Sequence, residues 1–187
     1  MATATEDFVE ADLNYLAYDG RRPVNYAYPP PAGIPQSNVT FVPHHVRIEN
    51  GRALGERPSL HRQGFELREH RSAVQDFSEE TVIRELALCD ARSISRDDLI
   101  ASDLVYRDKV GETYAFRHNP NHRWFYFPEV RPDEVVLLKI YDSLVTGAAR
   151  LTAHTAFDHP NTLPNAAPRR SIELRTLVFW PATRGAE

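Results

Sequence analysis

From residue 103 the sequence turns into a series of short apolar runs separated by turn residues, and this feature limits the fold most. The runs are DLVY (103–106), ETYAFRH (112–118), HRWFYFP (122–128), DEVVLLKIYDS (133–143), RLTAHTAF (150–157) and SIELRTLVFW (171–180). Strand-like runs this close together, with Gly, Pro, Asn and Asp between them, predict a sandwich, jelly roll or barrel. Proline reinforces that reading: 14 residues exceed the roughly 9 expected from average usage and imply many turns and edges. The expected organisation is one domain over 1–187, mostly β with some α. It has an extended arm over 1–45, a hairpin and helices over 46–102, and a β core over 103–180.

The arm rests on YLAYDGRRPVNYAYPPP, where tyrosines alternate with Gly-Pro punctuation and Pro29 to Pro31 favour polyproline II. Val46 and Ile48 alternate with polar neighbours before Asn50-Gly51, which predicts a short hairpin. SEETVIRELAL predicts a helix, with Ser78 as N-cap and Val82, Ile83, Leu86 and Ala87 on one face. Ser95 and Asp98 have the spacing of a capping box at the start of a second short helix.

The charge balance, 22 basic against 26 acidic residues for a net −4, carries no basic stripe and gives no sign of nucleic-acid binding. No apolar run approaches the ~18 residues of a membrane span, and MATATEDFVEADL lacks the pattern of a signal peptide. A cytoplasmic chain is expected. The single cysteine, Cys89, excludes an internal disulfide and reads as a buried, inert thiol.

Most histidines read as structural. His44 and His45 are adjacent and on a strand face opposite sides. His118 and His122 flank Asn119-Pro120-Asn121, a turn rather than a metal-binding helix. The aromatics of RWFYFP read as core, with Trp124 able to line a pocket. His154 differs because Thr152 and Ala156 share its face and leave room beside the imidazole. Arg175 shares a strand face with Leu177 and Phe179, so an inward guanidinium is expected there. It needs either a ligand carboxylate or a protein partner such as Glu173 or Asp142. Adjacent strands could bring His154 and Arg175 to one barrel mouth. Imidazole on iron and guanidinium on a distal carboxylate would together hold a metal-chelating 2-oxo acid.

Longer stretches carry a family resemblance. SLHRQGFELREHRSAVQDF, LALCDARSI, DLVYRDKVGETYAFRHNPNHRWFYFPEVRPDEVVLLKIYDS, HTAFDHP and PRRSIELRTLVFW resemble the CmcJ/NvfI oxidoreductase family, also described as the AsaB-type hydroxylase/desaturase family. The resemblance implies a double-stranded β-helix (jelly roll), non-haem Fe(II), and 2-oxoglutarate as co-substrate. It further implies a small-molecule, secondary-metabolite-like substrate that is hydroxylated, desaturated or otherwise oxidised. On that pattern His154 matches an iron ligand. Arg175 matches the partner of the 2-oxoglutarate carboxylate, with Arg169 as a weaker match. Arg170 stands where similar sequences tend to carry Glu.

One departure is large. In the family a long segment carrying an H-x-D iron motif separates AVQDF from LALCDARS. Here SEETVIRE runs directly into LALCDARS, with the join near Glu85-Leu86. None of the eight histidines has Asp or Glu two positions on. The expectation is an incomplete jelly roll that keeps one recognisable iron ligand, with Asp76 and Asp90 as aspartates near the join. Three readings follow: an oxidoreductase of the family, a non-catalytic binder of a small acid or a protein, or an incomplete version of a longer enzyme. Missing strands would also leave an open sheet edge through which copies could pair.

Overall fold

The computed structural model describes residues 6–69, 80–82, 85–147, 149–163, 169–171 and 173–179. Among these the strands are β1 (Phe8–Leu16), β2 (Val24–Tyr26), β3 (Phe41–Asn50), β4 (Phe65–Glu69), β5 (Glu80–Val82) and β6 (Glu85–Cys89). They continue with β7 (Leu99–Val105), β8 (Val110–Phe116), β9 (Trp124–Tyr126), β10 (Glu134–Leu138), β11 (His154–Phe157) and β12 (Arg169–Ser171). The main sheet has the order β1-β3-β9-β6-β11. A second sheet has the order β2-β7-β8, and two-stranded ribbons are formed by β10 with β4 and by β12 with β5.

Alternation along the strands explains the layering. In β9, Trp124 and Tyr126 join one apolar cluster, while Phe125 and the following Phe127 join another. In β6, Ala87 and Cys89 point to the first cluster and Leu86 and Leu88 to the second. Each strand is therefore apolar on both faces because the sheet is covered on both. Val9, Ala11, Leu13 and Tyr15 of β1 complete the first cluster, and Phe116 of β8 packs against it. Leu67 of β4 with Val136 and Leu138 of β10 cover the second. The two edges of the main sheet, β1 and β11, approach each other, and β1 also touches β8. The sheet thus curls toward closure, and the second sheet packs against it through β8.

Several expectations are corrected. Within 1–45, expected as an arm lying over the core, β1 is a core strand in antiparallel register with β3 from Phe8↔Glu49 to Leu16↔Phe41. Four alternate side chains of β1 are buried, which gives that strand more to gain inside the sheet than above it. The hairpin at Asn50-Gly51 does not form; the chain turns there, but β3 pairs with β1 and, in parallel, with β9. The helix over 78–88 is replaced by β5 and β6, with Ser78, Glu79, Ile83 and Arg84 outside the described residues. A short apolar run such as LALC satisfies a buried strand as well as a helix face, and neighbours on both sides decide it. The helices expected in 46–102 are, among the described residues, two 3-10 turns, Ala91–Ser93 and Arg96–Asp98. The second keeps the capping box of Ser95 and Asp98.

The last expected strand is corrected as well. Among its described residues only Ser171 belongs to one, in β12 opposite Glu80. Residues 173–179 form no ladder and are exposed, and Ile172 and Trp180 lie outside the described residues. A strand needs a neighbour for its N–H and C=O groups, and no described segment pairs with this one.

Gly51 shows how tightly the layers meet. Its N–H donates to the Tyr126 carbonyl at 2.8 Å, and a Cβ there would collide with the Phe127 ring. Gly51→Ala is expected to cost about 1–3 kcal/mol, read as a fall in melting temperature. An unchanged melting temperature would mean that Phe127 yields freely.

Candidate active site

A cavity of about 230 Å³ lies between the two sheets, walled by Tyr15, Asn25, Ser102, Phe116, Trp124 and Thr155 among others, and bordered by His154. Burial and pairing organise its floor. Trp124 Nε1 can only donate, and it donates to Tyr15 Oη at 2.7 Å. The Tyr15 hydroxyl is then free to donate to His122 Nδ1, 3.2 Å away. That leaves the Nε2 proton of His122 for Asp98 Oδ2 at 3.1 Å. Asp98 also accepts from the Ser95 backbone N–H at 2.7 Å and from the Asn119 amide. This single direction of donation requires a neutral imidazole. Burial holds His122 below its ordinary pKa, although its bond to Asp98 pulls the other way. Burial alone would raise the Asp98 carboxyl, but its three hydrogen-bond donors outweigh that and hold it below the usual range. Burial also raises the Tyr15 hydroxyl.

Ser102 is 2% exposed and lines the cavity. Its Oγ has no hydrogen-bond partner among the described residues, so it remains available to a molecule in the cavity.

His154 opens β11 opposite Leu88. Partners in antiparallel register project to one face, so His154 lies on the Leu88 side, whereas Thr155 and Ala87 lie on the core side. The residue is solvent-accessible, yet enough protein surrounds the imidazole to push its pKa down. The charge of Glu173 raises it and that of Arg175 lowers it. His154, Glu173 and Arg175 therefore share one electrostatic neighbourhood at the rim.

The expectation of an inward Arg175 is corrected: the side chain is 78% exposed, and its Nε donates to Glu173 Oε1 at 2.9 Å. This is the protein-partner alternative of the sequence reading. The bond engages one edge of the guanidinium only, and among the described residues none is made by the Nη atoms. An exposed pair of this kind contributes ~0–1 kcal/mol. The Arg169 backbone opens β12 opposite Val82. Cys89 is fully buried and its thiol is pushed up to about 12, chiefly by burial, so it is inert as expected. Asp90 is 1% exposed and committed to Arg92 at 2.6 Å, and Asp76 lies outside the described residues.

His44 and His45 face opposite sides as expected. His45 meets Asp12 at 3.0 Å, and His44 stacks on His118 with ring centroids 3.8 Å apart. Sequence reasoning missed Tyr15, Asp98, Ser102 and His122. The capping spacing at Asp98 was legible, but its service to His122 depends on a fold-level contact.

Comparison with known proteins gives these features a class. A family described as "Oxidoreductase/YMDC permease-like domain" matches residues 13–86 and 84–179. The two matched blocks meet at 84–86, where the sequence places the missing segment. No described helix is long and apolar enough to cross a membrane. The chain is 38% identical over 106 residues to the hydroxylase/desaturase efuI of Hormonema carpetanum, covering 51% of this chain and 35% of that protein. It is 41% identical over 96 residues to the Fe(II)/2-oxoglutarate-dependent dioxygenase nvfI of Aspergillus novofumigatus, covering 50% and 34%. It is 46% identical over 65 residues to the hydroxylase/desaturase asaB of Aspergillus flavus, covering 34% and 29%. The chain thus spans about a third of the length of these relatives. Among solved structures, the iron and alpha-ketoglutarate-dependent endoperoxidase NvfI superposes with a TM-score of 0.73 at 20% identity, covering 88% of this chain and 95% of the other. That likeness shows the fold: a mostly β, double-stranded β-helix. The chain belongs to the CmcJ/NvfI oxidoreductase family, the AsaB-type hydroxylases and desaturases.

Proposed function

We propose that this chain is an oxidoreductase domain of the Fe(II)/2-oxoglutarate-dependent hydroxylase/desaturase type, shaped for a small, secondary-metabolite-like molecule. The observation that carries this is the cavity between the sheets of a family jelly roll, with an unpartnered Ser102 hydroxyl inside and His154 at its border. The names of efuI, asaB and nvfI support the same chemistry. In this reading His154 is the iron imidazole. Arg175, through its unengaged Nη edge, receives the distal carboxylate of 2-oxoglutarate, and Arg169 is the alternative.

The residues present do not fit a complete iron centre. Among the described residues no group of three His, Cys, Asp or Glu could hold a metal ion. His154 lies on the face opposite the core cluster, and the nearby Glu173 is engaged by Arg175. This favours the second reading, a catalytically inactive family member that keeps the small-acid half of the site. The exposed apolar residues of 173–179 also support pairing of two copies through an uncovered edge.

Anaerobic calorimetric titration with Fe(II) tests the site. Binding weaker than about 10 µM is expected, because losing even one supporting partner weakens a metal site about 10–100-fold. A one-to-one site of micromolar or tighter affinity, abolished in His154→Ala, would show that other residues complete the centre. The inactive reading would then be withdrawn.

A further inference from the structure

A second, larger concavity of about 830 Å³ lies outside the cavity bordered by His154. It is walled by the 3-10 turn region at 91–96, by Tyr114 of β8 and by Ile140, Tyr141, Gly147 and 149–151. Tyr114 stands in the walls of both. The volume falls in the ~300–1,000 Å³ range of small-molecule sites.

Its charge is distinctive. Four arginines, Arg62, Arg92, Arg96 and Arg150, line it, and no carboxylate does, in a chain whose net charge is −4. Two of the four are neutralised from outside the lining: Arg62 by Glu56 and Arg92 by Asp90. The other two form no ion pair among the described residues, although the charge of Arg150 reaches the Asp142 carboxyl and helps lower it. Arg150 donates through Nε to the Asp142 carbonyl at 3.1 Å and lies 5.8 Å from the Tyr141 ring centroid. The Asp142 carboxylate is itself taken by Lys139. The Arg96 guanidinium makes no hydrogen bond or ion pair among the described residues. Concave walls of one sign focus potential and concentrate counter-ions. Ile94, Leu99 and Ile140 add an apolar surface to the same walls.

We propose that this groove binds an apolar carboxylic acid. Its carboxylate is held by Arg96 and Arg150 and its hydrocarbon body rests on Ile94, Tyr114 and Ile140. Guanidinium suits a carboxylate because its planar donors can meet both oxygens at once. The mixture of two cations outside any ion pair with isoleucine and tyrosine walls selects an amphipathic acid over a small, fully hydrated anion. The groove does not involve His154 or iron and stands whether or not the metal site is formed.

The test uses 2-naphthoate as probe and 2-naphthalenemethanol as its uncharged counterpart, each titrated into the full chain and followed calorimetrically. Saturable one-to-one binding of naphthoate is expected, about tenfold or more tighter than the alcohol, since a hydrogen bond to a charged group is worth about 1.5–3 kcal/mol. Arg96→Gln combined with Arg150→Gln should remove that preference while leaving the melting temperature unchanged, because both side chains are exposed. His154→Ala should leave naphthoate binding intact, which separates this groove from the iron proposal. The proposal is overturned if naphthoate shows no saturable binding up to about 10 mM. It is also overturned if acid and alcohol bind equally, if the double variant binds naphthoate as the wild type does, or if His154→Ala abolishes binding.

Discussion

Asp98→Ala is expected to lower the unfolding free energy by roughly 3–5 kcal/mol, the cost of removing one partner from a buried, charge-assisted network. The carboxylate collects the Ser95 N–H, the Asn119 amide and His122 Nε2, and its loss leaves the fully buried His122 ring with an unpaired proton. The Tyr15 and Trp124 links depend on that ring's orientation, so the damage reaches the cavity floor. A domain is typically stable by only ~5–15 kcal/mol. At ~2–4 °C per kcal/mol for a chain of this size, a melting-temperature drop of about 6–20 °C follows. Asp98→Asn keeps one acceptor and should lose less. Equal losses for Ala and Asn would mean that charge, not acceptor count, holds the network.

The same network sets a pH response. The folded pKa of His122 lies below its ordinary 6.5, so as pH falls below about 6.5 the unfolded chain takes up its proton first. Stability from this residue is therefore present above pH 6.5 and is lost as pH drops toward the folded value. Asp98, also depressed below its ordinary 3.8, adds a second loss that begins only below that pH. His45 works in the opposite direction, its pKa raised by Asp12 and Glu10, so the contribution of His122 is best read as a difference. Between pH 7.5 and 5.5 the wild type should lose more stability than His122→Gln does. A smaller loss in the wild type would mean that His122 is charged in the fold and that the donor order from Trp124 to Asp98 is wrong.

How much of this was legible depended on whether the information was local. The Ser95–Asp98 capping box was readable because both ends lie within one turn. The strands after residue 103 were readable in kind because short apolar runs between turn residues allow little else. β6 was misread because LALC fits two periods, and only Phe125 on one side and His154 on the other make it a central strand. β1 was hidden by the Gly-Pro text after it, although its own alternation of Val9, Ala11, Leu13 and Tyr15 carried the signal. Arg175 shows the reverse error. Its alternation was sound, but a strand exists only if something pairs with it, and a guanidinium placed inward by period alone was found in solvent beside Glu173. Of the candidate site, His154 stood out through its small neighbours and the family resemblance, and its role as an iron ligand stays a proposal. Ser102 and Tyr15 were not, because a serine or tyrosine in a strand acquires chemistry only from the cavity that forms around it.

Association of two copies is the other large expected effect. Leu174, Leu177, Val178 and Phe179 are 70%, 86%, 67% and 84% exposed, on a segment whose strand-forming pattern has no described partner. Burying a side chain of this kind is worth about 1.5–3 kcal/mol, so four together offer roughly 6–12 kcal/mol. Association costs on the order of 4–15 kcal/mol in lost freedom and ordering, so apolar burial alone reaches about 8 kcal/mol, the micromolar range, only at its favourable limit, and backbone pairing along the segment must supply the rest. Micromolar, concentration-dependent dimerisation is therefore expected rather than a permanent assembly. In sedimentation experiments the chain should be largely dimeric near 100 µM and largely monomeric near 1 µM, order-of-magnitude limits set by that affinity. Leu177→Ser with Phe179→Ser should leave monomer at both concentrations without lowering the melting temperature of the monomer, because both side chains are already in solvent. A wild type that stays monomeric near 100 µM would remove the edge-pairing proposal. A double variant that still dimerises would move the interface away from 173–179, to the open edges of the β4–β10 or β5–β12 ribbons, where loss of apolar area in the tail has no effect on pairing.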